Sequence, residues 1–94
     1  MVVYSINYDL KAPGRDYSPL YTAIESMGSY WHELESFWLV STDLPLREIL
    51  ADLLKLIDEN DSLAILKVGN SCAIRSTDKG RQWLNRNGFT EVYI

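Results

Sequence analysis

Val2-Val3-Tyr4-Ser5-Ile6-Asn7-Tyr8-Asp9 opens the chain with side chains that alternate in character. Val2, Tyr4, Ile6 and Tyr8 fall on one face and Val3, Ser5, Asn7 and Asp9 on the other, the period of two that marks a strand. The strand runs into Leu10-Lys11-Ala12-Pro13-Gly14-Arg15, a loop rich in turn residues. Asp9 therefore stands where a rigid element meets an open loop. A carboxylate in that position suits a metal ligand or a general base, and it equally suits a turn initiator that bonds the backbone two residues on.

Working outward, Ser18-Pro19 has the form of an N-cap followed by proline in the first helical position. Leu20, Ala23, Ile24 and Met27 then recur at helical spacing up to Gly28. Residues 30–42 return to strand character, but the period of two fails at Glu33-Leu34-Glu35. Two strands are expected, 30–32 and 36–41, joined by a tight turn or bulge. Asp43-Leu44-Pro45 opens a second helix, in which Leu46, Ile49, Leu50, Leu53, Leu54 and Ile57 form one stripe expected to face the core. Residues 62–68 form an apolar strand expected at the sheet centre. Beyond Gly69-Asn70 come a short edge strand at 71–75, a helix at 77–87 carrying Trp83 and Leu84 with Gly88 after it, and a last strand at 90–94.

Strand, helix, strand, strand, helix, strand is the order of a ferredoxin-like βαββαβ sandwich. The chain is thus expected to be of the α+β class, one domain over 1–94 with a core at 2–68 and a C-terminal helix and strand extension at 71–94. In such a sandwich both helices lie on one face of the sheet. Val3 with some of Trp31, Phe37, Trp38 and Leu39 is expected on the other face, and a bare aromatic face marks a partner surface. A homodimer follows, formed sheet to sheet or by exchange of the last strand, unless the C-terminal segment folds back over its own sheet.

Composition narrows the function classes. The chain has 94 residues, enough for one core with little margin. Nine Lys and Arg against thirteen Asp and Glu give a net charge of −4, so no broad basic surface exists to hold a phosphate backbone, and nucleic-acid contact has to be local, metal-bridged or directed at a basic partner. The single Cys72 and single His32 exclude an intrachain disulfide and a Cys/His zinc site. These features fit a reducing cytoplasm. No apolar run reaches membrane-spanning length, the first residues lack the basic head and apolar middle of a signal peptide, and the scattered glycines form no nucleotide-binding loop. Residues 63–68 hold no aromatic side chain, unlike the stacking strands of RNA-recognition modules.

The run Val3-Tyr4-Ser5-Ile6-Asn7-Tyr8-Asp9, the later His32-Glu33-Leu34-Glu35-Ser36-Phe37-Trp38 and the leucine-rich helix before Asp61-Ser62-Leu63-Ala64-Ile65 resemble the small CRISPR-associated adaptation proteins and the related VapD-like ribonucleases. A tighter likeness is to short bacterial proteins filed as SinR family. Their Pro-Gly-x-Asp-Tyr and Trp-His signatures look like Pro13-Gly14-Arg15-Asp16-Tyr17 and Trp31-His32. The likeness spans residues 2–68 and implies the ferredoxin-like fold.

It also implies that Asp9 of each subunit faces its twin across a dimer axis in Mg²⁺-dependent cleavage of RNA or DNA, with Ser36 as the accompanying catalytic residue that orients a phosphate or a metal-bound water. Mg²⁺ takes hard oxygens, often one or two protein carboxylates, and keeps waters that supply a nucleophile. His32, Lys11 and Arg15 are the candidate substrate-binding residues: His32 fits a general acid or a strand-face histidine bonded to a neighbour. Arg15 fits a phosphate clamp or an ion pair with Asp9 or Asp16. Asp9, His32 and Ser36 also have the residue types of a hydrolase triad, without a nucleophile elbow. The contrasting expectation is a non-enzymatic module, such as an antitoxin, a phage-encoded inhibitor or a scaffold, that binds a protein partner through the bare sheet face.

Overall fold

A computed structural model describes residues 1–93. It contains β1 (Val2–Asp9), α1 (Ser18–Ser26), β2 (Ser29–Leu34), β3 (Phe37–Thr42), α2 (Leu46–Leu54), β4 (Ser62–Lys67), β5 (Ser71–Ala73), α3 (Asp78–Arg86) and β6 (Glu91–Tyr93). The first four strands pair antiparallel in the order β2-β3-β1-β4. With α1 and α2 on one face, this is the ferredoxin-like α+β arrangement. Tyr4, Ile6 and Tyr8 of β1 and Trp38 and Val40 of β3 pack there against Leu20 and Ile24 of α1 and Ile49 and Leu53 of α2. The expected break between the second and third strands is present as a register irregularity between Trp31 and Leu34.

The other face of the sheet is not bare. Val3, Trp31 and Leu39 are buried beneath Trp83, Leu84 and Phe89, so the C-terminal segment folds back over its own sheet and makes a third layer. The exposed aromatic face expected from the sequence is therefore corrected, because the extension carries its own large apolar side chains. Trp38 belongs to the helix-side core instead. β6 pairs in parallel with β5 of the same chain. Of the expected last strand, Ile94 lies outside the described residues.

Period two explains how α3 is held. Ser29, Trp31 and Glu33 share one face of β2, and each reaches the C-terminal segment. Trp83 Nε1–H donates to Ser29 Oγ at 2.6 Å, and Trp31 Nε1–H to Ser76 Oγ at 3.1 Å. Glu33 accepts from the Thr77 N–H at 3.0 Å, the Thr77 hydroxyl at 2.8 Å and the Ser76 hydroxyl at 3.0 Å. Thr77 itself caps α3 by accepting the Gly80 N–H at 3.0 Å. A capping box places a Glu three residues into its own helix to bond the N-cap N–H; here β2 supplies that Glu from across the interface.

Three other elements differ from the sequence reading. α1 starts at Ser18 with Tyr17 before it and no side-chain cap; Asp16 in the preceding turn accepts the Ser18 N–H at 2.9 Å and its hydroxyl at 2.6 Å. In α2 only Ile49 and Leu53 are fully buried, whereas Leu46, Leu50 and Leu54 are 44%, 41% and 51% exposed. The apolar stripe is wider than the face that meets the sheet. β4 lies at the sheet edge, with Leu66 exposed, and β1 and β3 take the centre.

Gly28 marks a close approach: a Cβ there would run into the Ser41 backbone carbonyl. Thr42 Oγ1–H donates to the Met27 carbonyl at 2.8 Å and ties the two segments together, so neither yields freely. Gly28→Ala is expected to cost about 1–3 kcal/mol, the usual penalty of overpacking, read from urea unfolding midpoints.

The Thr77 N–H, helped by the Thr77 and Ser76 hydroxyls against partial burial, holds the Glu33 carboxyl below the ordinary glutamate range. A depressed carboxylate contributes stability above its unfolded pKa and loses it as pH falls through the folded value. Glu33→Gln should therefore unfold at lower urea than the parent at neutral pH, and the gap should close in acid. A gap that persists unchanged in acid would assign the loss to shape rather than charge.

Candidate active-site cavity at the end of the first strand

Tyr8 is the last inward-facing residue of β1, and its hydroxyl sits between two partners. Trp38 Nε1–H of β3 donates to Tyr8 Oη at 2.9 Å, and Tyr8 O–H donates to the Glu35 carbonyl at 3.0 Å. His32 Nε2 lies 3.2 Å from the same carbonyl. A carbonyl only accepts, so Nε2 carries the proton and, in the neutral ring, Nδ1 is left as the acceptor. The imidazole also stacks on the Trp38 indole, with centroids 3.5 Å apart and planes inclined by 12°. His32 is thus an exposed side chain held in one orientation by a stack and a hydrogen bond. Burial raises the pKa of the Tyr8 phenol above its ordinary value, with the Trp38 N–H acting against the shift.

A cavity of about 570 Å³ opens beside this network. It is lined by Tyr8, Asp9 and Leu10 of the β1 end, Tyr21 and Glu25 of α1, and His32, Glu35, Ser36 and Trp38 of the β2–β3 hairpin. The volume lies in the range of small-molecule sites. Three of the residues singled out by sequence, Asp9, His32 and Ser36, are brought together here. Leu10, Glu25, Glu35, Tyr8, Tyr21 and Trp38 complete the lining without having been singled out as site residues. Tyr21 and Glu25 had a signal, since they stand four apart on the polar side of α1; Tyr8 and Trp38 read as ordinary core aromatics.

The basic candidates lie elsewhere. Lys11 Nζ is 3.6 Å from Asp9 Oδ2, so Asp9 has a neighbouring positive charge at the cavity rim. Arg15 is placed 3.8 Å from Asp58, with its guanidinium 5.7 Å from the Tyr17 ring centroid. Its ion pair is therefore with Asp58, and it does not line the cavity. Asp61 fixes this loop by accepting the Lys11 N–H at 2.6 Å, the Tyr17 hydroxyl at 2.6 Å and the Asp58 N–H at 2.8 Å. Partial burial raises the Asp61 pKa, but those hydrogen bonds and the Arg15 charge outweigh it and leave the carboxyl low. Cys72 packs against the outer core beside Val92 and Ile74, and burial raises its thiol pKa.

Among the described residues no three His, Cys, Asp or Glu side chains converge as a metal group. Asp9 is an exposed hard oxygen donor, which fits one ligand of a Mg²⁺ ion that keeps most of its waters, and one protomer offers no complete cage. No helix among the described residues is long and apolar enough to cross a membrane. No protein-family model, curated protein or solved structure matches the chain.

Tyr8→Phe removes the group between Trp38 and Glu35 and leaves a buried indole N–H without a partner. The variant is expected to lose about 1–3 kcal/mol of stability, measured by urea unfolding, the cost of orphaning a buried donor. Because the cavity wall rests on the same bond, the His32 ring signals in proton NMR should shift as well.

Proposed function

We propose that the chain is a small nucleic-acid-associated protein acting as a Mg²⁺-dependent phosphodiesterase at the cavity that ends β1. The carrying observation is that Asp9, His32 and Ser36, which come from two separate stretches of sequence, line one open cavity. In this reading Asp9 is the carboxylate that holds the ion. A bound Mg²⁺ would supply a polarised water and neutralise charge on the phosphodiester. His32, with Nε2–H committed to Glu35, offers Nδ1 as a proton acceptor, and Ser36 contributes a hydroxyl to orient an oxygen. Lys11 beside Asp9 is the nearest positive charge for a phosphate. A homodimer belongs to the reading, since a second Asp9 would give the ion the second carboxylate that one protomer lacks.

A second reading, a non-enzymatic interaction module, draws on the exposed row Leu46, Leu50 and Leu54 of α2. The aromatic part of the sheet face first considered for such a partner is covered by the C-terminal segment.

The test is cleavage of labelled RNA and DNA with Mg²⁺ or Mn²⁺ by the parent protein, by Asp9→Asn and by His32→Gln, with EDTA as control. The expected result is cleavage by the parent, its loss in Asp9→Asn and in EDTA, and a fall of about 10²-fold or more for His32→Gln, as for loss of a general base. Identical traces from parent and Asp9→Asn would remove the assignment. Co-purification of one stoichiometric protein partner, without metal-dependent cleavage, would favour the second reading.

A further inference from the structure

Away from the rim at Asp9 and Lys11, the cavity has a composition unlike that of a phosphate site. Glu25 and Glu35 line it with Asp9, no Lys or Arg does, and among the described residues neither glutamate has an ion-pair partner. Its walls are aromatic: Tyr8 and Tyr21 stand with ring centroids 6.1 Å apart, and His32 lies flat on Trp38. One face of the imidazole is spent on Trp38, while the residue as a whole stays exposed. The free face is therefore a planar shelf, fixed in advance by the Glu35 carbonyl.

A fixed aromatic shelf beside acceptor-only carboxylates matches a flat ligand whose edge carries hydrogen-bond donors. We infer that the glutamate-lined part of the cavity binds a nucleobase and selects guanine, and that the phosphodiester is left to the rim at Asp9 and Lys11. A guanine base stacks on His32, and its adjacent N1–H and N2–H₂ donors meet the Glu25 or Glu35 carboxylate as a two-pronged pair. Adenine, cytosine and uracil each present a single donor group on that edge, alongside acceptors that a carboxylate repels. The inference rests on the nucleic-acid reading and adds the base to it. It also eases the difficulty of net charge, because a neutral base meets the two glutamates without the penalty that a phosphate would pay beside them.

Nucleosides test this without metal or phosphodiester, so the outcome is independent of whether the protein cleaves anything. Guanosine, adenosine, cytidine and uridine are titrated into the parent protein and followed by the indole N–H signal of Trp38 in proton–nitrogen NMR. Trp31 and Trp83, on the opposite face of the sheet, act as internal controls. Guanosine is expected to shift Trp38 alone and to bind about tenfold or more tightly than the other three, as for one two-pronged base contact.

In Glu25→Gln/Glu35→Gln the preference should vanish while weak stacking of all four persists. In His32→Leu, which still covers Trp38 but has no planar ring, binding should fall about tenfold or more for every nucleoside. Equal binding of all four to the parent would overturn the selectivity, and no shift at Trp38 with any nucleoside would overturn the site. Argininamide as a further titrant distinguishes a cationic side chain: saturable binding of it in place of guanosine would reassign the cavity and sink the proposal.

Discussion

The Tyr8 hydroxyl is the point on which both fold and cavity rest. It accepts from Trp38 on one neighbouring strand and donates to the turn residue Glu35, which closes the β2–β3 hairpin. An indole N–H buried with Trp38 at 1% exposure needs a partner, and Tyr8 is the side chain that supplies it. The Glu35 carbonyl also takes His32, so one relay crosses three strands and ends on the cavity wall. Hydrogen bonds in such a chain polarise one another in a low dielectric. The apolar body of Tyr8 serves the helix-side core while its polar end organises the site, which is how a chain this short builds a cavity without a separate supporting layer.

The second constraint is coverage of both sheet faces. In a ferredoxin-like sandwich two helices leave one face open, and a small chain has little apolar area to stabilise itself. The C-terminal segment answers this with Trp83, Leu84 and Phe89, packed on Val3, Trp31 and Leu39. Apolar contact alone is non-directional; the row Ser29, Trp31 and Glu33 adds direction, because each makes a hydrogen bond that only one placement of α3 satisfies. Glu33 carries the most, acting as a helix cap delivered from a strand.

Much of this was legible in the sequence. Alternation in residues 2–9 placed β1, the failure of period two at Glu33-Leu34-Glu35 placed the hairpin, and the element order gave the ferredoxin-like sandwich. The site was legible in part: Asp9, His32 and Ser36 were singled out, and they share a cavity. What escaped has physical reasons. Periodicity reports that a face is apolar but not what covers it, so the outer face looked like a partner surface and the Leu46, Leu50 and Leu54 row looked like core. The apolar run in 62–68 suggested a central strand, because hydrophobicity does not distinguish a buried strand from an edge strand with one exposed leucine. Arg15 was weighed against Asp9 and Asp16, the acids near it in sequence, whereas Asp58 approaches it only after folding. Tyr8 and Trp38 were hidden because an aromatic residue on a core face gives no sign of what its polar end will bond.

The coverage by α3 also bears on how two copies would meet. It buries the β2 and β3 side of the outer face, and the β4 side stays open: Ser62, Ala64 and Leu66 are exposed, and β4 pairs with β1 along one edge only. Asp9 sits opposite Ser62 in the register, beside Asn7 opposite Ala64, and at the end of β1 it borders both this uncovered side and the cavity. An arrangement that sets two Asp9 carboxylates together has this half of the face and its free strand edge to use, and the covered half is closed to it. The free edge also favours such a contact energetically, because its unpaired backbone N–H and C=O groups are the part of a sheet that gains most from a second strand. Asp9 thus lies one strand in from the edge where the fold leaves backbone hydrogen bonds unspent, and a seam built along that edge would run beside its carboxylate.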